Sequence, residues 1–187
     1  MIGLNINNRK EFRNWLLLNS NTAIECWLKL KHINPNNNPY DFCYLDAVEE
    51  ALCFGWIDGI HKNIHNFGHL TRFSPRSKNS QWSELNKARC QRLEKLGLMT
   101  KAGKKALDNS KPFIIDDDIM ELLDKDKDLK DNFYSFPLLY QRIRINTIQR
   151  EKNKPDVYNR MINNFIKYTK DGKMYGQWND YGRLMDY

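Results

Sequence analysis

Along the first hundred residues the spacing of apolar positions changes several times, and each change marks an element. Between Arg9 and Leu18, Phe12, Trp15 and Leu16 recur at i, i+3 and i+4, which predicts an amphipathic helix. From Thr22 to Lys31 the period drops to two. Ile24, Cys26, Leu28 and Leu30 alternate with Glu25, Trp27, Lys29 and Lys31, the pattern of a half-buried strand. Asn34-Pro35-Asn36-Asn37-Asn38-Pro39 has the composition of a loop. Helical spacing returns from Tyr44 to Phe54, with Val48, Ala51 and Leu52 inward, Glu49 and Glu50 expected outward, and Gly55 as the stop. Two short strands, Ile57 to His65 and His69 to Ser74, flank Asn66-Phe67-Gly68 and predict a hairpin.

After Pro75 only helices are expected. Ser80 is the predicted N-cap of a helix from Gln81 to Leu96, closed by Gly97, and Thr100 the cap of a shorter one to Leu107. Asp116, Asp117 and Asp118 open another, with Ile119, Leu122 and Leu123 apolar. Pro137 starts a helix to about Lys152, and Pro155 one that holds a 3.6 period through Val157, Met161, Ile162, Phe165 and Ile166 to Gly172. The expected fold class is α+β, a small antiparallel sheet packed with helices and followed by a helical C-terminal third. This divides the chain into an α+β domain over residues 1–112, a helical region over 113–172 packed on it, and an aromatic tail over 173–187.

The 187 residues, 41% hydrophobic and 28% charged, describe a folded globular chain rather than a disordered or disulfide-built one. No apolar run reaches the roughly 20 residues of a membrane-spanning helix. Met1 to Lys10 has no apolar h-region, so a cytoplasmic location is expected, with Cys26, Cys43, Cys53 and Cys90 reduced and buried. The net charge of +7 is uneven: residues 51–112 alone carry +8, and residues 113–135 carry −5. A basic segment suits nucleic acid, an anionic small molecule, or simply a solvated face paired with the acidic stretch.

Motifs for dinucleotide, phosphate-loop, zinc-protease and serine-hydrolase chemistry are absent from the sequence. The aspartates at 116–118 lack the glycine and terminal glutamate of a calcium loop and read as a helix start. His61, His65 and His69 are four apart, and a hairpin could bring them to one face, but no cysteine or carboxylate joins them. No metal and no cofactor are expected. In a hairpin register set by Gly68, in which paired numbers sum to 134, Lys62 would face Arg72 and Asp58 would face Arg76. Like charges across a ladder are unfavourable unless an anion lies between them. An anion-binding site is therefore expected at Lys62, Arg72, Arg76 and Arg89, supported by Trp56, Asp58, Trp82 and Asn86, arginine giving fixed donors and tryptophan a flat stacking surface. No catalytic residue is identified.

The segments Ala51-Leu-Cys-Phe-Gly-Trp-Ile-Asp-Gly59, Arg72-Phe-Ser-Pro-Arg76, Ser80-Gln-Trp-Ser83 with Asn86 and Arg89, and Gly97-Leu-Met-Thr-Lys-Ala-Gly103 resemble the YdeI/OmpD-associated family of bacteriocin-protection proteins. Phe12-Arg-Asn-Trp15-Leu and Cys26-Trp27-Leu-Lys-Leu-Lys31 fit its opening, and Tyr140-Gln-Arg-Ile-Arg-Ile-Asn-Thr-Ile to Arg160-Met-Ile fits its helical end. The resemblance spans roughly residues 9–170. It implies resistance to bacteriocins or antimicrobial peptides, or a wider stress-protection role, and supplies no catalytic residues. The family is often described as periplasmic and tied to a porin, whereas this chain shows no export signal, and His65 stands where the family is expected to carry an acidic residue. Together these readings describe a non-enzymatic binding protein with a basic anion-binding surface. The alternatives are a nucleic-acid-binding protein and an enzyme acting on a phosphorylated small molecule with Asp58 as base.

Overall fold

The computed structural model describes residues 3–37, 41–65, 67–108 and 111–185. Asn38 and Pro39 of the predicted loop and Asn66 of the hairpin turn lie outside them, as do Met1, Ile2 and the last two residues of the tail. The fold is α+β. A three-stranded antiparallel sheet in the order β1-β3-β2 is built from β1 (Cys26–Lys29), β2 (Trp56–Ile64) and β3 (Gly68–Pro75). Eight helices accompany it among the described residues: α1 (Arg9–Asn19), α2 (Tyr44–Cys53), α3 (Glu84–Lys95), α4 (Lys101–Asp108), α5 (Asp117–Asp124), α6 (Lys127–Ser135), α7 (Leu138–Gln149) and α8 (Pro155–Lys170).

The chain forms two compact units. The first holds residues 1–81, 89–110 and 180–187, and the second residues 82–88 and 111–179. In the first, one sheet face carries Cys26, Leu28 and Phe73, which are buried with Phe12 and Leu16 of α1 and Val48 and Leu52 of α2. Phe12 meets Phe73 edge-on at 5.6 Å and Trp15 meets Trp56 at 5.8 Å, geometries in which ring edges face π-clouds. In the second unit Ile119, Leu123, Leu129, Phe133, Ile145, Ile148 and Phe165 make one core, and Tyr140, Ile143 and Trp178 a smaller one joined by Leu85. The tail residue Trp178 thus lies edge-on to Tyr140 at 5.6 Å.

Four local expectations are corrected. α3 begins at Glu84 with Ser83 as its cap, the Ser83 hydroxyl accepting from the Asn86 N–H at 3.2 Å, so Trp82 precedes the helix instead of opening its buried stripe. α6 is an additional helix, capped by Asp126, whose carboxylate accepts the Leu129 N–H at 3.0 Å. Its short apolar set, Leu129 and Phe133, is hidden in the sequence among lysines and aspartates. Glu49 and Glu50 point inward, 0% and 3% exposed. They survive there because arginines meet them: Arg9, Arg92 and Arg183 lie 2.7, 2.9 and 3.1 Å from Glu49, and Arg9 and Arg13 lie 2.6 and 2.8 Å from Glu50.

The fourth correction is the hairpin register. Gly68, at φ +79°, is already the first paired residue of β3, opposite Ile64, so the pairing moves by two residues. A bulge between Asp58 and His61 then moves the far end by one more. Lys62 consequently faces Leu70 and Asp58 faces Phe73, while Arg72 faces Trp27 of β1.

Candidate functional site

The revised register separates the expected site residues into different environments. A shift by two preserves the side on which a residue points, because side chains alternate along a strand. Lys62 lies opposite Leu70, and Leu70 and Arg72 are two apart on β3, so Lys62 and Arg72 share a face. Trp27 and Lys29 of β1 pair with Arg72 and Leu70 and share it too. This is the face turned away from Phe73 and Leu28. On it the Lys62 ammonium sits 5.7 Å from the centre of the Trp27 ring, a cation–π contact. Glu25 joins the group: its carboxylate accepts from the Trp27 indole Nε1 at 2.9 Å and lies 3.5 Å from Arg72 Nη1.

Arg72 is the under-satisfied member. Its side chain is 32% exposed, and among the described residues its one carboxylate contact is long and its buried Nε has no hydrogen-bond partner. The guanidinium lies over Gly59, where a Cβ would come within 3.4 Å of both Nε and Nη2. An arginine fork beside an exposed lysine and an indole has the donor chemistry to meet a planar or tetrahedral anion.

Next to this face is a groove of about 510 Å3 lined by Leu4, Trp15, Asn19, Thr22, Ala23, Ile24, Glu25, Cys26 and Trp27. It follows from the way the N-terminal segment meets the sheet. The Leu4 N–H donates to the Trp27 carbonyl at 2.8 Å, while Ile24, before β1 begins, is left 84% exposed. Trp27 and Glu25 belong to both the groove and the basic face.

Asp58 and Arg89 lie elsewhere. Asp58 points to the opposite sheet side, where the Tyr44 hydroxyl donates to its carboxylate in a short hydrogen bond. Burial together with the neighbouring Asp58 charge pushes the Tyr44 phenol up, so it stays protonated. His32 stacks on Tyr44 at 4.6 Å, and His61 approaches His32 edge-on at 5.6 Å while one of its ring nitrogens contacts the Thr71 hydroxyl at 3.0 Å. Burial, with His61 beside it, lowers the pKa of His32. Arg89 binds Asp180 through two hydrogen bonds, at 2.7 and 2.8 Å, with side chains 11% and 6% exposed. Asp180 and Tyr181 hold left-handed backbone at φ 50° and 59°, a conformation that side-chain-bearing residues adopt reluctantly and that this pair fixes.

Trp56 is core, 1% exposed, with Nε1 donating to the Ser20 carbonyl at 3.2 Å. Arg76 lies beyond the last pair of β3. Its N–H meets the Gly55 carbonyl and its Nη2 the Gln81 carbonyl, both at 2.9 Å. Trp82 and Asn86 belong to the second unit. Among the described residues no group of three or more histidine, cysteine, aspartate or glutamate side chains could hold a metal ion. Also among them, no helix is long and apolar enough to cross a membrane. The sequence reading passed over Trp27, Lys29, Tyr44, His32 and Asp180. Trp27 was the recoverable one, since a large aromatic on the polar side of an alternating strand is a recognition signature.

No curated protein and no solved structure matches the chain. Two families do, and they divide it. Residues 4–106, more than half of its length, match the family described as Domain of unknown function (DUF8412), and these include the groove, the basic face and all the motifs quoted from residues 51–103. Residues 112–172 match Bacteriocin-protection, YdeI or OmpD-Associated, so it is the helical segment that carries the family resemblance. The chain belongs to the DUF8412 family through residues 4–106, and its helical segment over residues 112–172 is similar to the YdeI or OmpD-associated, bacteriocin-protection family.

Proposed function

We propose that the protein is a non-enzymatic protective binding protein, in the line of bacteriocin or antimicrobial-peptide resistance that its helical family's name describes, and that it binds an anionic group on the sheet face bearing Lys29, Lys62 and Arg72 around Trp27. The observation that carries this reading is the Arg72 guanidinium, left among the described residues with one carboxylate contact at 3.5 Å and an unpartnered Nε. Arg76 and Arg89, expected at the same site, are engaged elsewhere and form no part of it. A cytoplasmic location belongs to the proposal, and fractionation of cells expressing the protein checks it.

Nucleic-acid binding rested on the +8 of residues 51–112, but Arg89 and Arg92 of that stretch are ion-paired to Asp180 and Glu49 from outside it. The exposed positive charge is correspondingly smaller. Hydrolytic use of Asp58 as a base is opposed by the Tyr44 hydroxyl, whose hydrogen bond occupies the carboxylate.

Isothermal titration with inorganic phosphate tests the binding site. Binding is expected to weaken with added salt and to vanish in the double variant Lys62→Ala with Arg72→Ala, whose melting temperature stays near that of the parent. Phosphate affinity unchanged in that variant refutes the site. For the biological role, a strain lacking the protein is expected to be more sensitive to bacteriocins, and equal sensitivity counts against the role.

A further inference from the structure

The basic face and the groove share two residues, and they differ in chemistry. One offers Lys62 and Arg72, and the other Leu4, Trp15, Ala23 and Ile24, with Trp27 and Glu25 on the boundary. A volume of about 510 Å3 is within the range of sites that enclose small organic molecules, roughly 300–1,000 Å3. It is far more than a lone phosphate requires. A ligand that used only the cations would leave two indoles and an exposed isoleucine in water. One that used only the groove would leave Arg72 under-satisfied.

We infer that the ligand is a small amphipathic anion, whose phosphate or carboxylate meets Arg72 and Lys62 and whose aromatic or short alkyl part lies in the groove between Trp15 and Trp27. This inference rests on the anion reading above and adds the chemistry of the rest of the molecule. Charge complementarity decides the orientation, because Arg72 is paired with Trp27 across the sheet and the Lys62 ammonium lies over the Trp27 ring, which puts both cations by the groove's Trp27 wall. Glu25 fixes the boundary. It holds the Trp27 indole by its Nε1 and stays 3.5 Å from Arg72, too far to saturate the fork and near enough to yield it to an incoming anion. The two indoles of the lining offer the apolar part flat surfaces, and each methylene removed from water raises affinity roughly fourfold.

The test compares inorganic phosphate with n-hexyl phosphate on the full-length protein, by titration calorimetry and by quenching of indole fluorescence. Hexyl phosphate is expected to bind at least tenfold more tightly than phosphate. Ile24→Ser, a change at an exposed residue that leaves the fold intact, is expected to reduce that advantage severalfold while phosphate affinity stays unchanged. Ala23→Arg, which fills the groove, is expected to abolish it. Equal affinities for the two anions overturn the groove inference and leave the anion reading standing. Absence of binding by both overturns the two together. A hexyl advantage that survives both variants puts the alkyl chain somewhere else and also overturns the inference.

Discussion

Replacing Glu49 by glutamine leaves shape and volume almost unchanged and removes one negative charge from a site with no access to water. Three guanidinium groups depend on that charge, those of Arg9, Arg92 and Arg183, at 2.7, 2.9 and 3.1 Å. At an effective dielectric constant of about 20, each such pair is worth about 4 kcal/mol for charge centres 4 Å apart. Most of that attraction offsets the desolvation of the ions, so the net loss is far smaller than the sum. Asp46 and Glu50 continue to hold Arg9, and Asp46 holds Arg183 at 2.9 Å, which leaves Arg92 as the stranded charge. Breaking a buried pair in this way costs about 3–5 kcal/mol. With a urea dependence of about 2 kcal/mol per molar, the unfolding midpoint of the first unit falls by roughly 1.5–2.5 M. Fluorescence of Trp15, Trp27 and Trp56 follows that unit. Glu94→Gln removes a pair whose side chains are about half exposed, and is the control, with an expected change below about 0.5 M. If Glu49→Gln unfolds within the error of that control, the network contributes no net stability and the reasoning fails.

Tyr44→Phe deletes the short hydrogen bond to Asp58 and leaves a half-buried carboxylate without its donor. It is expected to destabilise by about 1.5–3 kcal/mol in the same urea assay, and a loss below about 0.5 kcal/mol refutes that role. Gly103→Ala places a Cβ 2.3 Å from the Cys53 carbonyl oxygen, so α2 and α4 must separate; thermal melting that matches the parent contradicts the packing. Burial pushes the Cys26 and Cys90 thiols up to about 12, so neither is expected to react with Ellman's reagent at pH 8 until the protein unfolds, and stoichiometric labelling of the native protein shows otherwise. Burial alone raises Asp46, but hydrogen bonds from Cys43 and the charge of Arg183 outweigh it and hold the carboxyl below its usual range. Its contribution to stability is therefore complete above about pH 4 and lost as pH falls through the lower folded value. Asp46→Asn is expected to flatten this acid limb, and an unchanged acid profile refutes the assignment.

What the sequence by itself determined was local. The helices of Arg9–Asn19, Tyr44–Cys53 and Pro155–Lys170 and the hairpin strands are legible because apolar spacing and punctuating glycines act over a few residues. Gly97 and Gly172 end their helices at φ +70° and +65° as their type requires. Tertiary structure decided which charges are hidden. Glu49 and Glu50 follow the outward-facing pattern of any surface helix until arginines from residues 9, 13, 92 and 183 arrive, and no local pattern registers partners up to 134 residues away. It also decided the site. The sequence put two cations on one face of the hairpin, but a two-residue displacement at Gly68 and a bulge after Asp58 chose their neighbours, because register depends on the pairing of whole strands. That choice moved Asp58 away from Arg76 to face Phe73, while the separate pairing of β1 with β3 set Arg72 opposite Trp27, where strand pairing alone could put an indole beside an unsatisfied guanidinium.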